Sequence, residues 1–133
     1  MEQHAALGLW VALNLLLGLT LALNVTRMRF ALGVGIGPGE SDALQRAVRA
    51  HGNNIEYTPL ALLALFVLVM GGLSDVLIHV FGASLLLGRV LHAIGIQNAQ
   101  AALPLPRVIG NVVTWSVLLV EGLLLVLRSF GGF

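Results

Sequence analysis

Apolar positions run almost unbroken through four stretches of the chain: roughly Ala5 to Val25, Tyr57 to Leu73, Val76 to Ile96 and Val108 to Leu127. A helix that crosses the ~30 Å hydrocarbon core of a bilayer needs about 20 mostly apolar residues, so each stretch predicts a membrane-spanning helix. The first connection, "ALGVGIGPGESDAL", carries four glycines and a proline and predicts an irregular, mobile loop. Ser41 or Asp42 then offers an N-cap for the second helix. Run from about Ala43 to Met70, that helix is about 40 Å long at 1.5 Å per residue. It exceeds the hydrocarbon thickness, so its first turns stand in the headgroup zone. Pro59 lies inside it and predicts a bend, which membrane helices tolerate when neighbours satisfy the freed carbonyl. No internal repeat relates the two halves. Residues 1–133 therefore read as a single all-α domain, a four-helix bundle in the membrane.

Composition agrees with the pattern. Hydrophobic residues make up 58% of the chain and charged residues 10%, which excludes a water-soluble enzyme and places the chain among integral membrane proteins. The opening "MEQHAALGLW" lacks a basic region, and the apolar run behind it is too long for a signal-peptide core, so the first helix is expected to be retained. A formal net charge of +1, without a basic stripe away from the membrane, argues against nucleic acid as a partner. There are no cysteines. Disulfides, thiolate metal sites and a protein-supplied sulfur nucleophile are thereby excluded, and any thiol chemistry has to come from a ligand. No histidine and carboxylate set shares one helix face at metal-ligand spacing, so no metal site is expected.

The arginines set an orientation. Arg27, Arg29, Arg46 and Arg49 flank the first connection and Arg107 sits in the third, whereas only Arg128 lies at the opposite side. Short cytoplasmic loops carry the excess of positive charge, so both termini are expected away from the cytoplasm. All seven basic side chains are arginine, a bias associated with GC-rich bacterial genomes, and the expected location is a bacterial inner membrane.

A polar stripe precedes the second apolar run in "RAHGNNIEYTPL". At the helical period, Arg46, Arg49, Asn53, Glu56 and Tyr57 occupy about a third of the circumference. Leu60, Ala64 and Val67 continue that face, while His51 points elsewhere. In the third helix Arg89 and His92 share a line with Gly82, Leu85 and Ile96. In the fourth, Arg107, Gly110, Asn111, Thr114 and Glu121 form another. The polar ends of these three helices lie at the same membrane side. A charged group near the bilayer centre costs about 2.5 to 3.5 kcal/mol even on the lenient insertion scale. One resolution pairs Arg49 or Arg89 with Glu56 and lets the other arginines snorkel to headgroups. Counting Arg46, Arg49, Arg89 and Arg107 against Glu56 alone leaves surplus positive charge, which suits an anionic ligand.

These motifs resemble the MAPEG family, the membrane-associated proteins of eicosanoid and glutathione metabolism. The spacing of Arg49, Asn53 and Glu56 is similar to the family's second-helix signature, and "EYTP" resembles its leukotriene-synthase branch. "GRVLHAIG" is similar to the family's third-helix ending, and "LPRVIGNVVTW" to its fourth-helix start. The resemblance spans nearly the whole chain. It implies a homotrimer in the lipid bilayer, with glutathione as co-substrate held between subunits near the cytoplasmic surface. Arg49, Asn53, Glu56 and Tyr57 would hold the tripeptide, an arginine taking a carboxylate by a two-pronged bond and Glu56 pairing with the ammonium. Arg46, Arg89 and His92 would contribute, Arg27 would guard the rim, and Arg107 would stabilise the thiolate.

Two positions depart from the pattern. Val108 offers no hydroxyl where some relatives carry serine or threonine, and Ile96 stands where some carry tyrosine. The implied chemistry is therefore a plain thiol transferase or peroxidase acting on lipophilic small molecules that enter from the bilayer, rather than prostaglandin-type isomerisation. Two alternatives are a non-catalytic lipid-binding scaffold of the same family and a small multidrug transporter. The latter relies on an acid in the first helix, which this one lacks. Of the remaining polar groups, Glu121 is expected at a subunit contact, His79 at the membrane interface, and Asn14 and Asn24 in interhelical hydrogen bonds. Gly82, Gly88 and Gly95 are expected to permit close helix packing.

Overall fold

The computed structural model describes residues 3–37, 39–98 and 104–131. They form four helices: α1 (Gln3–Leu32), α2 (Asp42–Met70), α3 (Asp75–Gln97) and α4 (Leu105–Ser129). Each is long and apolar enough to cross a membrane. The apolar windows located all four, but α1 continues well past Val25. Its last turns carry polar residues that a hydropathy window discards, and it stops at Gly33, whose φ of 65° is the left-handed geometry that ends helices. Arg29 then ties down the connection: its Nη1 donates to the carbonyls of Gly37 at 2.8 Å and Gly35 at 3.4 Å. Ser41, rather than Asp42, caps α2, its Oγ accepting from the Leu44 N–H at 3.2 Å. Asp42 is instead the first helical residue, where its charge complements the helix dipole. The helix runs unbroken through Pro59. Pro106 lies within the first turn of α4, where a missing N–H costs nothing.

The helices α2 and α3 form the middle of the bundle and touch each other; α1 and α4 flank them on opposite sides and do not meet. The most extensive packing joins α3 to α4, and glycines set its closeness. A Cβ built on Gly88 would lie 3.0 Å from Thr114 Oγ1 and 3.1 Å from the Gly110 carbonyl, and one on Gly95 would overlap the backbone of Arg107. Gly82 lies against the Trp10 ring of α1. All three glycines thus sit at close helix approaches, as small residues do in membrane bundles.

The interior is layered. One apolar cluster gathers Ala6 and Leu7, Leu65 and Leu68, Phe81 and Leu85, and Val117 from all four helices. A smaller one holds Leu21, Ala50, Ala93 and Ile96 toward the other end. Arg128 closes the larger cluster's end, donating to the carbonyl of Leu68 at 2.9 Å, one of the carbonyls that α2 leaves without a helical partner. Outward, the helices present Leu15, Leu16, Leu19, Leu23, Leu119 and many other apolar residues to the surroundings. That coat is intolerable in water and ordinary in a bilayer.

Candidate functional site

The end of the bundle carrying the start of α2, the end of α3 and the start of α4 is where the polar residues converge. A cleft of about 290 Å3 opens there, lined by Asp42, Gln45, Arg46 and Arg49 of α2, Ile96 of α3 and Arg107 of α4. Helix geometry explains the convergence. Residues 42, 46 and 49 recur at spacings of four and three on one face of α2, and the Gly95 contact draws the first turn of α4 against the last turns of α3. Arg107 stands in that first turn, where the helix dipole adds positive potential to its guanidinium.

Deeper in, Arg89 is the organising residue. It is 1% exposed, yet its charge is met by neutral groups. Its Nη2 donates to Asn53 Oδ1 at 2.6 Å, its Nη1 to Thr114 Oγ1 at 3.4 Å, and the guanidinium lies 5.7 Å from the centroid of the Tyr57 ring. The Thr114 hydroxyl in turn donates a hydrogen bond to the Gly110 carbonyl at 2.8 Å. One cation thus pins α2, α3 and α4 together without using a carboxylate. The anticipated pairing of Arg49 or Arg89 with Glu56 does not occur: Glu56 and Arg49 both face outward from the protomer, and no hydrogen bond from the described residues reaches the Glu56 carboxylate.

Among the described residues, the Nε atoms of Arg46 and Arg89 are buried at this end without a hydrogen-bond partner, while the His92 ring lies against the backbone of Arg107 and the side chain of Asn111. Buried donors left unmatched are costly. Of the residues anticipated from sequence, Arg46, Arg49 and Arg107 surround the cleft, while Asn53, Tyr57, Arg89 and His92 lie in the layer beneath or beside it. Arg27 does not line the cleft. Its Nη2 donates to Asn24 Oδ1 at 3.2 Å, and Asn24 in turn donates to Gln97 Oε1 of α3 at 2.9 Å. Two residues that sequence left out belong here. Asp42 lines the cleft, so the arginines face two acids rather than one; its position four before Arg46 was a readable signal. Thr114 stood on the polar line of α4, but only the fold shows that it holds Arg89.

Elsewhere the expectations separate. Asn24 makes the interhelical bond expected of it. Asn14 does not: it bonds within its own helix, Nδ2 donating to the Trp10 carbonyl at 2.9 Å, and its Oδ1 is buried without a partner. Interhelical partnership falls instead to Trp10, whose Nε1 donates to His79 Nδ1 at 3.1 Å. Glu121 is 1% exposed, inside the protomer rather than on its outer surface, and both its carboxyl oxygens lack partners. That burial argues against the anticipated contact with a neighbouring subunit.

Fold and site define a class: a four-helix membrane protein with an open, arginine-rich cleft at one end and an apolar exterior. The MAPEG family profile matches residues 7–127. The chain belongs to the MAPEG family and is a membrane protein of that family. It is also similar to the inner membrane protein YecN of Escherichia coli strain K12, 34% identical over 91 residues that cover 68% of this chain and 70% of that protein, and equally to YecN of E. coli strain CFT073.

Proposed function

We propose that the protein is a glutathione-dependent transferase or peroxidase that acts on lipophilic electrophiles within the bacterial inner membrane, with its arginine-rich end at the cytoplasmic face and its termini opposite. The observation that carries the reading is the charge imbalance at the cleft. Arg46, Arg49, Arg89 and Arg107 gather at one end, Arg89 is held only by neutral oxygens, and the acids nearby are Asp42 and Glu56. Glutathione brings two carboxylates, one ammonium and a thiol, so surplus guanidinium with an available carboxylate matches its charges.

Glutathione also fits the unsatisfied groups. Outward-facing Arg49 suits a carboxylate by a two-pronged bond, and Glu56 suits the ammonium. The buried Nε atoms of Arg46 and Arg89 supply further hydrogen-bonding capacity. The tripeptide supplies the nucleophilic sulfur; the chain's own residues bind its charges and hold the sulfur as an anion. A free thiol ionises near pH 8.5, and each unit of lowering requires about 1.36 kcal/mol of preference for the anion. A guanidinium at a helix N-terminus is suited to supply one or two units once a neighbouring subunit closes the cleft over it, and Arg107 has that position. The exposure of Arg49 and Glu56, with a cleft near the lower limit of ligand-pocket volumes, supports a homotrimer in which a neighbouring subunit closes the site.

The test is ultraviolet detection of thiolate on adding glutathione to purified protein, repeated with Arg107→Ala. At pH 7.5 roughly a tenth of free thiol is ionised, and a two-unit lowering raises that to about nine-tenths. Wild type is expected to give the band and the variant to lose most of it. A wild type that binds glutathione without a band supports the non-catalytic scaffold instead, and an unchanged band in the variant removes Arg107 from its role.

A further inference from the structure

Past the last apolar turn of α1 the chain forms a basin at the level of the lipid headgroups. Val25 ends the apolar stretch, and Arg29 lies about 6 Å further along the axis at 1.5 Å per residue, within the roughly 5–7 Å that headgroups occupy beside the hydrocarbon core. Thr26, Arg29 and Phe30 of α1 and Gly33, Val34 and Gly35 of the connection line a cavity of about 330 Å3 there. No described residue lines both this basin and the arginine cleft.

Arg29 supplies the charge of the basin, and none of the described residues lining it is acidic. The connection uses one nitrogen of its guanidinium: Nη1 donates to the carbonyls of Val34 at 3.5 Å, Gly35 at 3.4 Å and Gly37 at 2.8 Å. Nε and Nη2 meet no acceptor among the described residues. That edge carries the parallel N–H pair with which arginine takes a phosphate by two bonds. The Thr26 hydroxyl donates to the Ala22 carbonyl at 3.1 Å, so its oxygen keeps lone pairs for an incoming hydroxyl. The approach to the basin is apolar. Leu19, Leu23, Thr26 and Phe30 recur at spacings of four and three, opposite the buried Asn14 and Leu21, and form an exposed strip from the bilayer interior to the basin. Phe30 is 83% exposed and Ile36 of the connection 95%. Such side chains beside a cation at the interface are unfavourable in water and seat well among acyl chains.

We infer that this basin binds the headgroup of an anionic phospholipid bearing hydroxyls, of the phosphatidylglycerol type. Its phosphate oxygens accept from Nε and Nη2 of Arg29, a glycerol hydroxyl donates to Thr26 Oγ1, and the acyl chains run along Leu23 and Leu19. A free phosphate satisfies the guanidinium but leaves the strip and Phe30 uncovered. A choline or ethanolamine cation is repelled by the arginine and meets no carboxylate among the described residues of the wall. The site does not depend on the thiol chemistry proposed above.

The test uses full-length protein in nanodiscs of equimolar phosphatidylglycerol and phosphatidylcholine, with one lipid or the other carrying a diazirine near the top of an acyl chain. Adducts are mapped by mass spectrometry and normalised to those on the exposed stretch of α4 around Leu119. Phosphatidylglycerol is expected to label the 19–36 segment about fivefold over phosphatidylcholine, the equivalent of about 1 kcal/mol for a juxtamembrane arginine. Arg29→Gln is expected to remove that preference. So is Thr26→Glu, which keeps Arg29 and its bonds to the connection but sets a carboxylate three residues before it on the same face. Excess inorganic phosphate is expected to leave the preference unchanged, and its loss there overturns the lipid in favour of a free phosphate. Equal labelling by the two lipids in the wild type, or a preference that survives in Thr26→Glu, overturns the inference. Absence of lipid adducts with cross-links from the 19–36 segment to a second copy overturns it in favour of a subunit contact.

Discussion

Replacing Gly95 by alanine probes the link between packing and site most directly. The added Cβ would overlap the backbone of Arg107, lying 2.8 Å from its Cα, and a backbone cannot turn aside as a side chain does. The first turn of α4 has to retreat. Overpacking of this kind costs about 1–3 kcal/mol, against which alanine returns roughly 0.5–1 kcal/mol of helix propensity. The midpoints of these ranges leave a net loss of about 1.2 kcal/mol, a factor of roughly 8 in the folded population. The measurement is unfolding by sodium dodecyl sulfate in mixed micelles, followed by circular dichroism. Gly122→Ala is the comparator, because it lies in α4, the helix of Arg107, and its added Cβ meets nothing within 4 Å; it is expected to be neutral or slightly stabilising. Since the displaced residue is Arg107 itself, the glutathione thiolate signal is expected to fall in Gly95→Ala and to hold in Gly122→Ala. A Gly95→Ala protein as stable as wild type, or two variants equally weakened, would refute the reasoning.

Ser41→Ala removes the α2 cap and is expected to cost about 1 kcal/mol in the same titration, with glutathione affinity changed less than threefold. Asn53→Asp places an acid on Arg89 Nη2, and the neutralised cation is expected to weaken glutathione binding about tenfold by calorimetry; equal or tighter binding would contradict the charge argument. Trp10→Phe keeps the ring over Gly82 but deletes the bond to His79, and is expected to lower stability by about 1 kcal/mol without altering the thiolate band. Arg49→Gln is expected to weaken binding at low salt and to flatten its salt dependence, read from affinities at two ionic strengths.

What the sequence displayed was whatever depended on composition along one helix. Four apolar windows, the stripe from Arg46 to Tyr57 and the glycines of α3 needed only the helical period and the bilayer thickness. The continuation of α1 beyond Val25 escaped because helix and hydrophobic span are different quantities: Thr26, Arg27 and Arg29 end the span without ending the helix. Asn14 and Asn24 look alike in sequence, yet one meets Gln97 across the bundle and the other finds only its own Trp10 carbonyl. Partner choice depends on which helix lies opposite, and no single-chain pattern carries that. Glu121 misled for a similar reason, its line on α4 turning inward rather than toward a neighbouring copy.

The retention of Arg89 in the core follows from what surrounds it. Had a carboxylate met it, the pair would be nearly neutral, and the layer between the two apolar clusters would be a structural clasp with no call on an outside anion. Asn53 Oδ1, Thr114 Oγ1 and the face of Tyr57 stabilise the guanidinium through dipoles and a quadrupole, while the Glu56 carboxylate acts on its charge only from beyond hydrogen-bond reach. That residual field adds to those of Arg46, Arg49 and Arg107 at the cleft. The same three contacts hold α2, α3 and α4 at the spacing that puts those arginines together, so the cost of burying one cation is offset partly by packing and partly by an anion from outside. Folded protein without such an anion is on this argument less stable than folded protein with one, and the stabilisation follows RT ln(1 + [L]/Kd). Glutathione at a hundred times its Kd is expected to add about 2.7 kcal/mol to unfolding, and a full-length protein whose unfolding is insensitive to it would show that the charge is balanced from within.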